Sequence, residues 1–495
     1  MSRSADRPPR VAIIGAGFGG IATAVKLRKR TSATFVIFEK SAGVGGTWFD
    51  NRYPGCEVDI HSHAYSFSFD RHDWPSTHAT QPELLEYANR IVDEHGLRDH
   101  IRLNTTVTEL CWEEADNQYT LRTSDGEQHT FDVVVSAMGL LSVPKYPDWP
   151  GLEDFEGTCF HTSRWENHDL GGKRVAVVGT GSTSAQVVPG IADEVGSLKV
   201  FQREPGWVEP KNERAFTPFE RWLYGRVPGA QKLHRAWLFY KSMARLRGYD
   251  VTSETQTLMR KNCLDYISSE IEDPNLRTAV TPDYPWGCKR PVLASTFYST
   301  LERPNVDLVP HSVTSVTREG LVDATGAFHP VDVLILSTGF QPTKFLAGVD
   351  VKGREGRSLH EVWRTRATAF LGITVSGFPN FFILYGPNTN GGLSIIAQLE
   401  RQAEVAVRSV KRLQRRRSAI IDTDTKAERW YVEWIDRRID TKASAMESGC
   451  HNYYHSAEGK NVTQWPGSHL LYLAMTRVVS RWGIKARRRE VSGPR

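Results

Sequence analysis

Two glycine-rich segments of the chain have the residue types and the spacing that bind the pyrophosphate of a dinucleotide. The first, Gly15-Ala-Gly17-Phe-Gly19-Gly20, directly follows the apolar residues 11–14. Glycines at these positions permit a tight turn and a close approach of the backbone, and the N-terminus of the next helix attracts the anion. Glu39 ends the next apolar segment, 24 residues after Gly15, where a carboxylate accepts hydrogen bonds from the adenosine ribose and repels a 2′-phosphate. We therefore predict that FAD or NAD binds at Gly15, Gly17, Gly20 and Glu39.

The second segment, Gly179-Thr-Gly181-Ser182-Thr183-Ser184, follows the apolar residues 174–178 and ends in serine where the first segment has glycine. Arg203 ends the next apolar segment, at the position of a ribose phosphate, and a guanidinium suits bidentate phosphate binding. The pattern therefore predicts an NADPH site that comprises Gly179, Gly181, Ser182, Thr183, Ser184 and Arg203. Glu204 leaves two alternatives open: its carboxylate either repels the phosphate and favours NADH, or points into water.

The elements around both segments alternate between strand and helix, which predicts an α/β fold with two Rossmann-type dinucleotide-binding domains. The NADP domain is expected to be inserted in the FAD domain. Residues 211–283 are aromatic and basic without strand-like alternation, so they predict a helical insertion, and residues 332–338 predict a strand of the returning first domain. The predicted ranges are 1–148 and 332–495 for the FAD-binding domain, 149–210 and 284–331 for the NADP-binding domain, and 211–283 for the insertion. The aromatic residues of the insertion are expected in a packed face or a substrate-channel wall, with a membrane surface as the alternative: Trp222, Tyr224, Trp237 and Tyr240.

The bulk composition excludes several other classes of protein. With 40% hydrophobic and 24% charged residues among 495, the chain has the composition of a large globular enzyme. Its net charge of +5 and its short basic clusters give no continuous basic face, so we expect no nucleic-acid partner. No run of eighteen apolar residues occurs, which predicts no transmembrane segment, and the scattered cysteines predict no disulfide framework. A cytoplasmic location is expected, and the absence of a G-x-S-x-G segment argues against a serine hydrolase.

Two further segments carry a resemblance to a known family. One is Gly45-Gly46-Thr47-Trp48-x-x-x-x-Tyr53-Pro54-Gly55-x-x-x-Asp59, and the other is Phe155-x-Gly157-x-x-x-His161-x-x-x-Trp165. They resemble the fingerprints of the class B flavoprotein monooxygenases, and within these of the Baeyer–Villiger monooxygenases. Trp165 favours this group over the related flavin-containing monooxygenases, and Glu166 stands where the group usually has proline or aspartate. The resemblance extends from Val11 to Trp482.

The resemblance implies FAD and NADPH as cofactors and also implies the residues that bind them. Flavin contacts are implied for Gly46, Thr47, Trp48 and Tyr65, and Asp59 is implied beside the isoalloxazine ring. The segment Cys288-Lys289-Arg290-Pro291 is similar to the one in which lysine binds the coenzyme phosphate and arginine enters the active site. Val107 completes the predicted cofactor-binding residues. His161 is expected to couple the two nucleotide domains, and residues 377–380 and 386–389 resemble segments near the flavin.

The implied reaction explains why an arginine and a carboxylate are needed at Arg290 and Asp59. A flavin peroxide attacks a ketone carbonyl as an anion, and a guanidinium stabilises that anion in a water-poor site. A carboxylate holds the guanidinium in place, which predicts Asp59 and Arg290 as the catalytic pair. Residues 386–392 open the helix-like residues 393–413, and this helix after Asn390 is expected to direct its positive N-terminus at the reduced flavin. We therefore expect a Baeyer–Villiger monooxygenase that uses NADPH and O2 to convert a ketone into an ester or lactone.

Two other functions are compatible with the same segments. One is an N- or S-oxygenating flavin-containing monooxygenase, which needs no arginine beside the flavin. The other is a non-catalytic protein that binds FAD and NADP to regulate a partner.

The spacing of His61 and His63 is typical of metal ligands, because alternate residues of an extended segment point to one side. No third ligand lies near them in the sequence. We therefore expect no metal site.

Overall fold

The computed structural model describes residues 7–166, 168–250, 253–391, 394–416, 420–442, 452–456 and 458–487. Within these ranges, two five-stranded parallel sheets form the centre of the fold. The strands are β1 Arg10–Ile14, β2 Thr34–Phe38, β3 Ile101–Arg102, β4 Val107–Glu113, β5 Gln118–Thr123, β6 Gln128–Phe131, β7 Val133–Ser136, β8 Thr158–His161, β9 Arg174–Val178, β10 Ser197–Phe201, β11 Val208–Glu209, β12 Val292–Leu293, β13 Val306–Val309, β14 Val313–Thr317, β15 Gly320–Asp323, β16 Phe328–Pro330, β17 Val333–Leu336, β18 Asp350–Lys352, β19 Phe381–Ile383, β20 Ile420–Thr423 and β21 Ile484–Arg487. The α-helices are α1 Phe18–Arg30, α2 Thr47–Asp50, α3 Gln81–Glu94, α4 Ser184–Ile191, α5 Pro218–Arg226, α6 Ala230–Leu246, α7 Glu254–Glu270, α8 Pro274–Val280, α9 Phe297–Leu301, α10 Leu359–Val362, α11 Ile395–Arg416, α12 Thr425–Ile439, α13 His469–Ala474 and α14 Ser480–Gly483.

The first sheet has the strand order β19-β7-β1-β2-β3, and all neighbouring strands are parallel. Val11, Ala12 and Ile13 of β1 are fully buried, which is typical of a strand with both faces of its sheet covered. Helix α1 begins directly after the first glycine-rich turn and packs against α11. The predicted strand, turn and helix at residues 11–28 are confirmed.

The second sheet repeats this design with the order β13-β10-β9-β17-β8, again with parallel neighbours. Strand β17 corrects one predicted boundary. Residues 332–338 were expected to begin the return of the first domain, but β17 lies between β9 and β8 of the second sheet. Its four residues are apolar and buried on both faces, a pattern that fits either parallel sheet and therefore does not identify the domain.

The insertion at residues 211–283 is helical as predicted, and α5, α6, α7 and α8 are its helices in the described residues. The short strands β11 and β12, which pair in parallel, lie on either side of it in the sequence. Three of its aromatic side chains are more exposed than the prediction of a packed face or channel wall implies. Trp222, Trp237 and Tyr240 are more than half exposed, whereas Tyr224 packs partly on the main core.

Two connections between the parallel sheets lie side by side. The backbone N–H of Lys145 donates to the Gly339 carbonyl at 2.8 Å, and the N–H of Gln341 donates to the Val143 carbonyl at 3.0 Å. Thr338 adds a side-chain bond to the Lys145 carbonyl. The chain therefore leaves the first sheet and returns from the second along one shared path.

Candidate active site

The first glycine-rich turn and the segment of residues 45–48 are in direct contact. A Cβ atom on Gly46 would lie 3.0 Å from the Gly17 Cα, so a side chain at position 46 would crowd the turn. The Gly46 backbone has φ +58°, which a glycine adopts without strain. Helix α2 begins at Thr47, and the contact therefore places Thr47 and Trp48 beside the turn that is predicted to bind the FAD pyrophosphate.

Glu39 lies at the end of β2 with its carboxylate buried against this turn. One carboxylate oxygen accepts the Ala16 N–H at 2.7 Å, and the other accepts the Ser41 N–H at 2.8 Å. A carboxylate has about four acceptor positions, so the group retains capacity for a ribose hydroxyl. These bonds fix the predicted ribose acceptor against the glycine-rich turn.

Three other predicted flavin residues occupy different surroundings. The Trp48 indole N–H donates to the Tyr65 hydroxyl at 3.2 Å, and the two rings pack edge to face. Burial raises the pKa of Tyr65, so its hydroxyl stays protonated. Val107 is buried at the start of β4, in a core cluster that includes Ile14 and the end of β2. The structure therefore brings Trp48 and Tyr65 together and keeps Val107 in the core.

The geometry of Gly20 gives a direct test of the first nucleotide site. A Cβ atom there would lie 1.9 Å from the Gly15 carbonyl oxygen, so Gly20→Ala must distort the turn. We expect the purified variant to lose most of its bound flavin, measured by absorbance after denaturation. Gly181→Ala is the matched control, because a Cβ at Gly181 meets no atom within 4 Å. Equal flavin content in both variants would contradict the assignment, and circular dichroism checks that each variant is folded.

The second glycine-rich turn borders a cleft of about 500 Å³ with residues of the neighbouring strands. The Ser184 and Ser337 hydroxyl oxygens are buried and have no hydrogen-bond partner among the described residues. Gly179 and Thr180 line the cleft, Gly181 and Ser182 are exposed, and Thr183 is half-buried just before α4. Such unsatisfied hydroxyls beside an open glycine turn fit a bound dinucleotide.

Arg203, Glu204 and Lys289 lie together on this cleft. The Glu204 carboxylate forms an ion pair with the Lys289 ammonium group. The structure therefore differs from both alternatives for Glu204, since its carboxylate neither lies free beside Arg203 nor points only into water. Lys289, the predicted phosphate ligand, is partly neutralised, whereas the Arg203 side chain is exposed.

Arg290 and Asp59 meet on the wall of a cavity that also borders the insertion. Arg290 Nη2 donates to Asp59 Oδ2 at 2.8 Å, although 231 residues separate the two in sequence. The Asp59 carboxylate raises the pKa of the Arg290 guanidinium well above its usual range, which keeps the cation charged at any working pH. The predicted catalytic pair is thus assembled across the two nucleotide domains.

The cavity beside this pair has a volume of about 530 Å³ and receives residues from several parts of the chain. Met243 and Leu246 come from α6 of the insertion, Ile439 from α12, and Trp465 from the C-terminal part. Arg245 also lines it and forms two hydrogen bonds with Glu209, each of 2.7 Å. The wall is therefore mainly apolar, with paired charges at fixed positions.

Residues 386–391 line the same cavity through Gly391 and connect to the following helix. The Asn388 side chain donates to the Asn461 carbonyl at 2.9 Å, and the Asn390 N–H donates to the Thr463 carbonyl at 2.9 Å. Helix α11 begins at Ile395, whereas the sequence predicted residues 393–413. Gly392 and Leu393, which belong to the predicted flavin segment and helix start, lie outside the described residues.

His161 of the second fingerprint lies at the shared path between the sheets. Its Nδ1 accepts the Ser163 N–H at 3.1 Å, so Nε2 carries the proton and donates to the Gly339 carbonyl at 3.0 Å. Burial lowers the pKa of His161, which favours this neutral form. The other residues of the fingerprint pack around this connection. Phe155 packs on the second sheet, and Trp165 contacts Phe160 edge to face. Gly157 has no room for a side chain, because a Cβ atom there would lie 2.4 Å from the Asp332 carbonyl oxygen. The fingerprint therefore surrounds the connection at residues 338–341 between the two sheets, which fits the predicted coupling role of His161.

The structure adds residues that the sequence did not single out. The Tyr454 hydroxyl accepts the Arg290 N–H at 2.8 Å, and Gln186 of α4 contacts Tyr53 and Glu57 across the domain boundary. Isolated residues of this kind have no motif or period, so no sequence signal marks them. No third ligand lies near His61 and His63 in the sequence, but in the structure His234 of α6 joins them.

The structure bears on two expectations from composition, one about disulfides and one about membrane-spanning helices. The scattered cysteines predicted no disulfide framework; Cys288 is disulfide-bonded, and Cys56, Cys111, Cys159 and Cys263 are free. Scattered cysteines give no indication of which pairs the fold brings together. No helix in the described part of the chain is long and apolar enough to cross a membrane.

Two parallel dinucleotide sheets, with a charged arginine held beside a cavity between them, define an oxidoreductase with two nucleotide sites. Residues 12–217 match the pyridine nucleotide-disulphide oxidoreductase family. A Baeyer-Villiger monooxygenase of Pseudomonas aeruginosa is 38% identical over 478 residues, which cover 96% of this chain and 90% of that protein. The chain belongs to the Baeyer–Villiger monooxygenase family.

Solved structures agree with this assignment over nearly the whole chain. The crystal structure of cyclohexanone monooxygenase from Rhodococcus sp. Phi1 bound to NADP+ is 30% identical, with a TM-score of 0.87. The OTEMO complex with FAD and NADP is 27% identical, with a TM-score of 0.86. Each comparison covers 97% of this chain and 100% of the other. The resemblance in the fingerprint segments is therefore confirmed at the level of the family and the fold.

Proposed function

We propose that this chain is an NADPH-dependent Baeyer–Villiger monooxygenase that converts a ketone into an ester or lactone with O2. The observation that carries the proposal is the ion pair of Arg290 and Asp59 at the cavity. Family membership and the relatives that bind FAD and NADP support the cofactors. Bound FAD supplies the chemistry that activates oxygen, and the residues of the chain bind, orient and charge the site around it.

Arg290 provides a permanent positive charge where negative charge develops in the reaction. Asp59 accepts a hydrogen bond from one guanidinium nitrogen, and Tyr454 holds the Arg290 backbone, so the cation is fixed before the substrate arrives. Fixed charge needs no reorganisation during the reaction, which is the main advantage of such sites. An N- or S-oxygenating enzyme has no use for this arrangement, so the pair favours the ketone reaction.

We propose ketones with an apolar skeleton as the substrates. The walls that α6, α12 and Trp465 supply are mainly apolar, which suits the hydrocarbon part of a substrate. The charges on the cavity wall near Arg245 and Lys442 are paired with Glu209 and Asp250. A substrate therefore gains binding energy mostly from its hydrocarbon part, and we propose that its carbonyl group faces Arg290.

The first test is product formation by the purified holoenzyme with NADPH, 18O2 and a panel of ketones. We expect esters or lactones that carry one labelled oxygen atom, identified by mass spectrometry. Formation of N- or S-oxides from amine and sulfide substrates, without any ester from ketones, would favour the alternative oxygenase. A protein that binds FAD but does not oxidise NADPH with any substrate would favour the regulatory alternative.

Glu204 gives a second test, because it competes with the coenzyme for Lys289. Glu204→Gln removes the carboxylate that pairs with the ammonium group, so Lys289 becomes free to bind the 2′-phosphate. We expect the ratio of kcat/KM for NADPH to that for NADH to rise about tenfold, the scale of one charge-assisted hydrogen bond. Glu194→Gln, at an exposed position of the same domain, is the control. An unchanged ratio would show that Lys289 does not contact the phosphate.

A further inference from the structure

Three histidines meet where the insertion packs on the FAD domain. His61 and His63 follow Asp59 in the first domain, and His234 is on α6, 171 residues after His63 in sequence. One ring nitrogen of each histidine lies within 4.8 Å of the other two. The fold thus supplies the third imidazole that the spacing of His61 and His63 lacks.

The rings of this histidine cluster, His61, His63 and His234, are held in fixed orientations. The Nδ1 atoms of His63 and His234 face each other at 2.8 Å. Phe216 stacks on His63 and Tyr224 stacks on His234, with ring centroids 5.0 Å apart in both pairs. His63 is buried, and the other two rings are half-buried. The stacking and the hydrogen bond therefore hold His63 and His234 in place without a metal ion.

The ring nitrogens, which lie within 4.8 Å of one another, need to shift to reach the spacing of a first-row metal site. A tetrahedral Zn²⁺ ion with Zn–N bonds of about 2.0–2.1 Å places its nitrogen ligands about 3.3 Å apart. The His63 and His234 nitrogens therefore need to separate by about half an ångström from the hydrogen-bonded arrangement. Movement of this size lies within small changes of the side-chain torsions.

The charges around the histidine cluster permit a cation. Arg214 and Arg235 are the nearby guanidinium groups, and each is paired with a carboxylate. Arg214 forms two hydrogen bonds with Glu220, of 2.6 and 2.7 Å. Arg235 donates to the His63 and Ser66 carbonyls and lies 3.9 Å from Glu400. Glu220 and Asp73 also act on His63 as negative charges. Each arginine therefore has a carboxylate within ion-pair distance, and the carboxylates offset the opposition of Arg214 and Arg235 to positive charge at the cluster.

We propose that His61, His63 and His234 form a binding site for a divalent first-row metal ion of the zinc class. Imidazole nitrogen is a preferred ligand of Zn²⁺, Cu²⁺ and Ni²⁺, and a site with three histidines leaves a fourth position for water. Because His61 also lines the active-site cavity and α6 forms part of its wall, the ion joins the insertion to the segment that carries Asp59. The site is separate from the predicted catalytic pair and does not depend on the proposed reaction.

The test uses the full-length holoenzyme without a polyhistidine tag, stripped with a chelator and dialysed against Zn²⁺. We expect one equivalent of zinc per chain by elemental analysis and a higher Tm than for the stripped protein, since an ion that binds only the folded state stabilises it. His63→Ala and His234→Ala should each lose the zinc and the shift in Tm. His78→Ala is the control, because this histidine is beside His61 but outside the set of three. Retention of one zinc by the His63→Ala, His234→Ala double variant would overturn the proposal.

A second measurement needs no variant and so does not depend on how the variants fold. Cu²⁺ binds nitrogen ligands more tightly than its neighbours in the series, and oxidised flavin gives no electron paramagnetic resonance signal. With one equivalent of Cu²⁺ added to the wild-type holoenzyme, we expect hyperfine structure from three nitrogen ligands. A spectrum with no nitrogen coupling, or no saturable binding, would mean that the three rings are only a hydrogen-bonded aromatic cluster.

Discussion

Replacing Arg290 by alanine is expected to lower the rate of ester formation about 100- to 1000-fold, the range seen when one preorganised charge-stabilising group is removed. The reason is that alanine leaves the Asp59 carboxylate as the charge nearest to the reaction centre, and this charge has the wrong sign. Reduction of the flavin by NADPH should continue at a rate close to that of the wild type. Stopped-flow absorbance measures the reduction, and gas chromatography measures the ester.

Arg247→Ala is the matched control for this experiment, because Arg247 lines the same cavity. We expect Arg247→Ala to lower the rate of ester formation less than tenfold, because the reaction requires a positive charge at the position of Arg290 and not elsewhere in the cavity. Arg290→Lys should recover only part of the activity, because an ammonium group lacks the planar geometry that Asp59 binds. Ester formation by Arg290→Ala within about threefold of the wild-type rate would end the proposed role of the arginine.

Asp59→Asn is expected to have the second largest effect, a loss of about 10- to 100-fold in ester formation. The amide keeps the shape of the side chain but removes the charge that fixes the guanidinium. Because Asp59 acts through Arg290, its effect should depend on the arginine. In the Arg290→Ala background, Asp59→Asn should therefore cause little further loss, and a double-mutant cycle of product formation measures this coupling.

Asp250→Asn provides the corresponding control, since Asp250 lines the same cavity and pairs with Lys442. We expect it to change the rate by less than about threefold, because its partner is not the proposed catalytic cation. Additive effects of Asp59→Asn and Arg290→Ala would contradict the positioning role. They would instead indicate that each side chain contacts the reactants independently.

Local patterns were sufficient to predict the parts of the fold in which one short segment determines its own structure. The apolar run at 11–14, the glycines after it and Glu39 have fixed roles in a strand, a turn and the next strand, so the sequence predicts them together. The same reasoning holds for the second turn. The resemblance then predicted which distant residues belong to the site, and the structure brings Asp59 to Arg290.

Other features depend on the packing of distant segments, and no local pattern reveals them. The apolar strand β17 is equally suited to both parallel sheets, and only its pairing with β8 and β9 assigns it to the second. Glu204 has a partner that lies 85 residues away, and His234 of α6 reaches His63 in a distant turn. Such contacts arise from tertiary structure, so a single sequence without homologues does not predict them.

The adjacent connections at residues 143–145 and 338–341 restrict how the two nucleotide domains move. Two hydrogen-bonded chain segments that cross together leave rotation about their common axis as the easiest displacement, as in other hinges between domains. His161 is bonded to Gly339 on this axis, so its neutral imidazole affects the stiffness of the rotation. A coenzyme bound to the second domain would therefore move as one unit with that domain relative to the first.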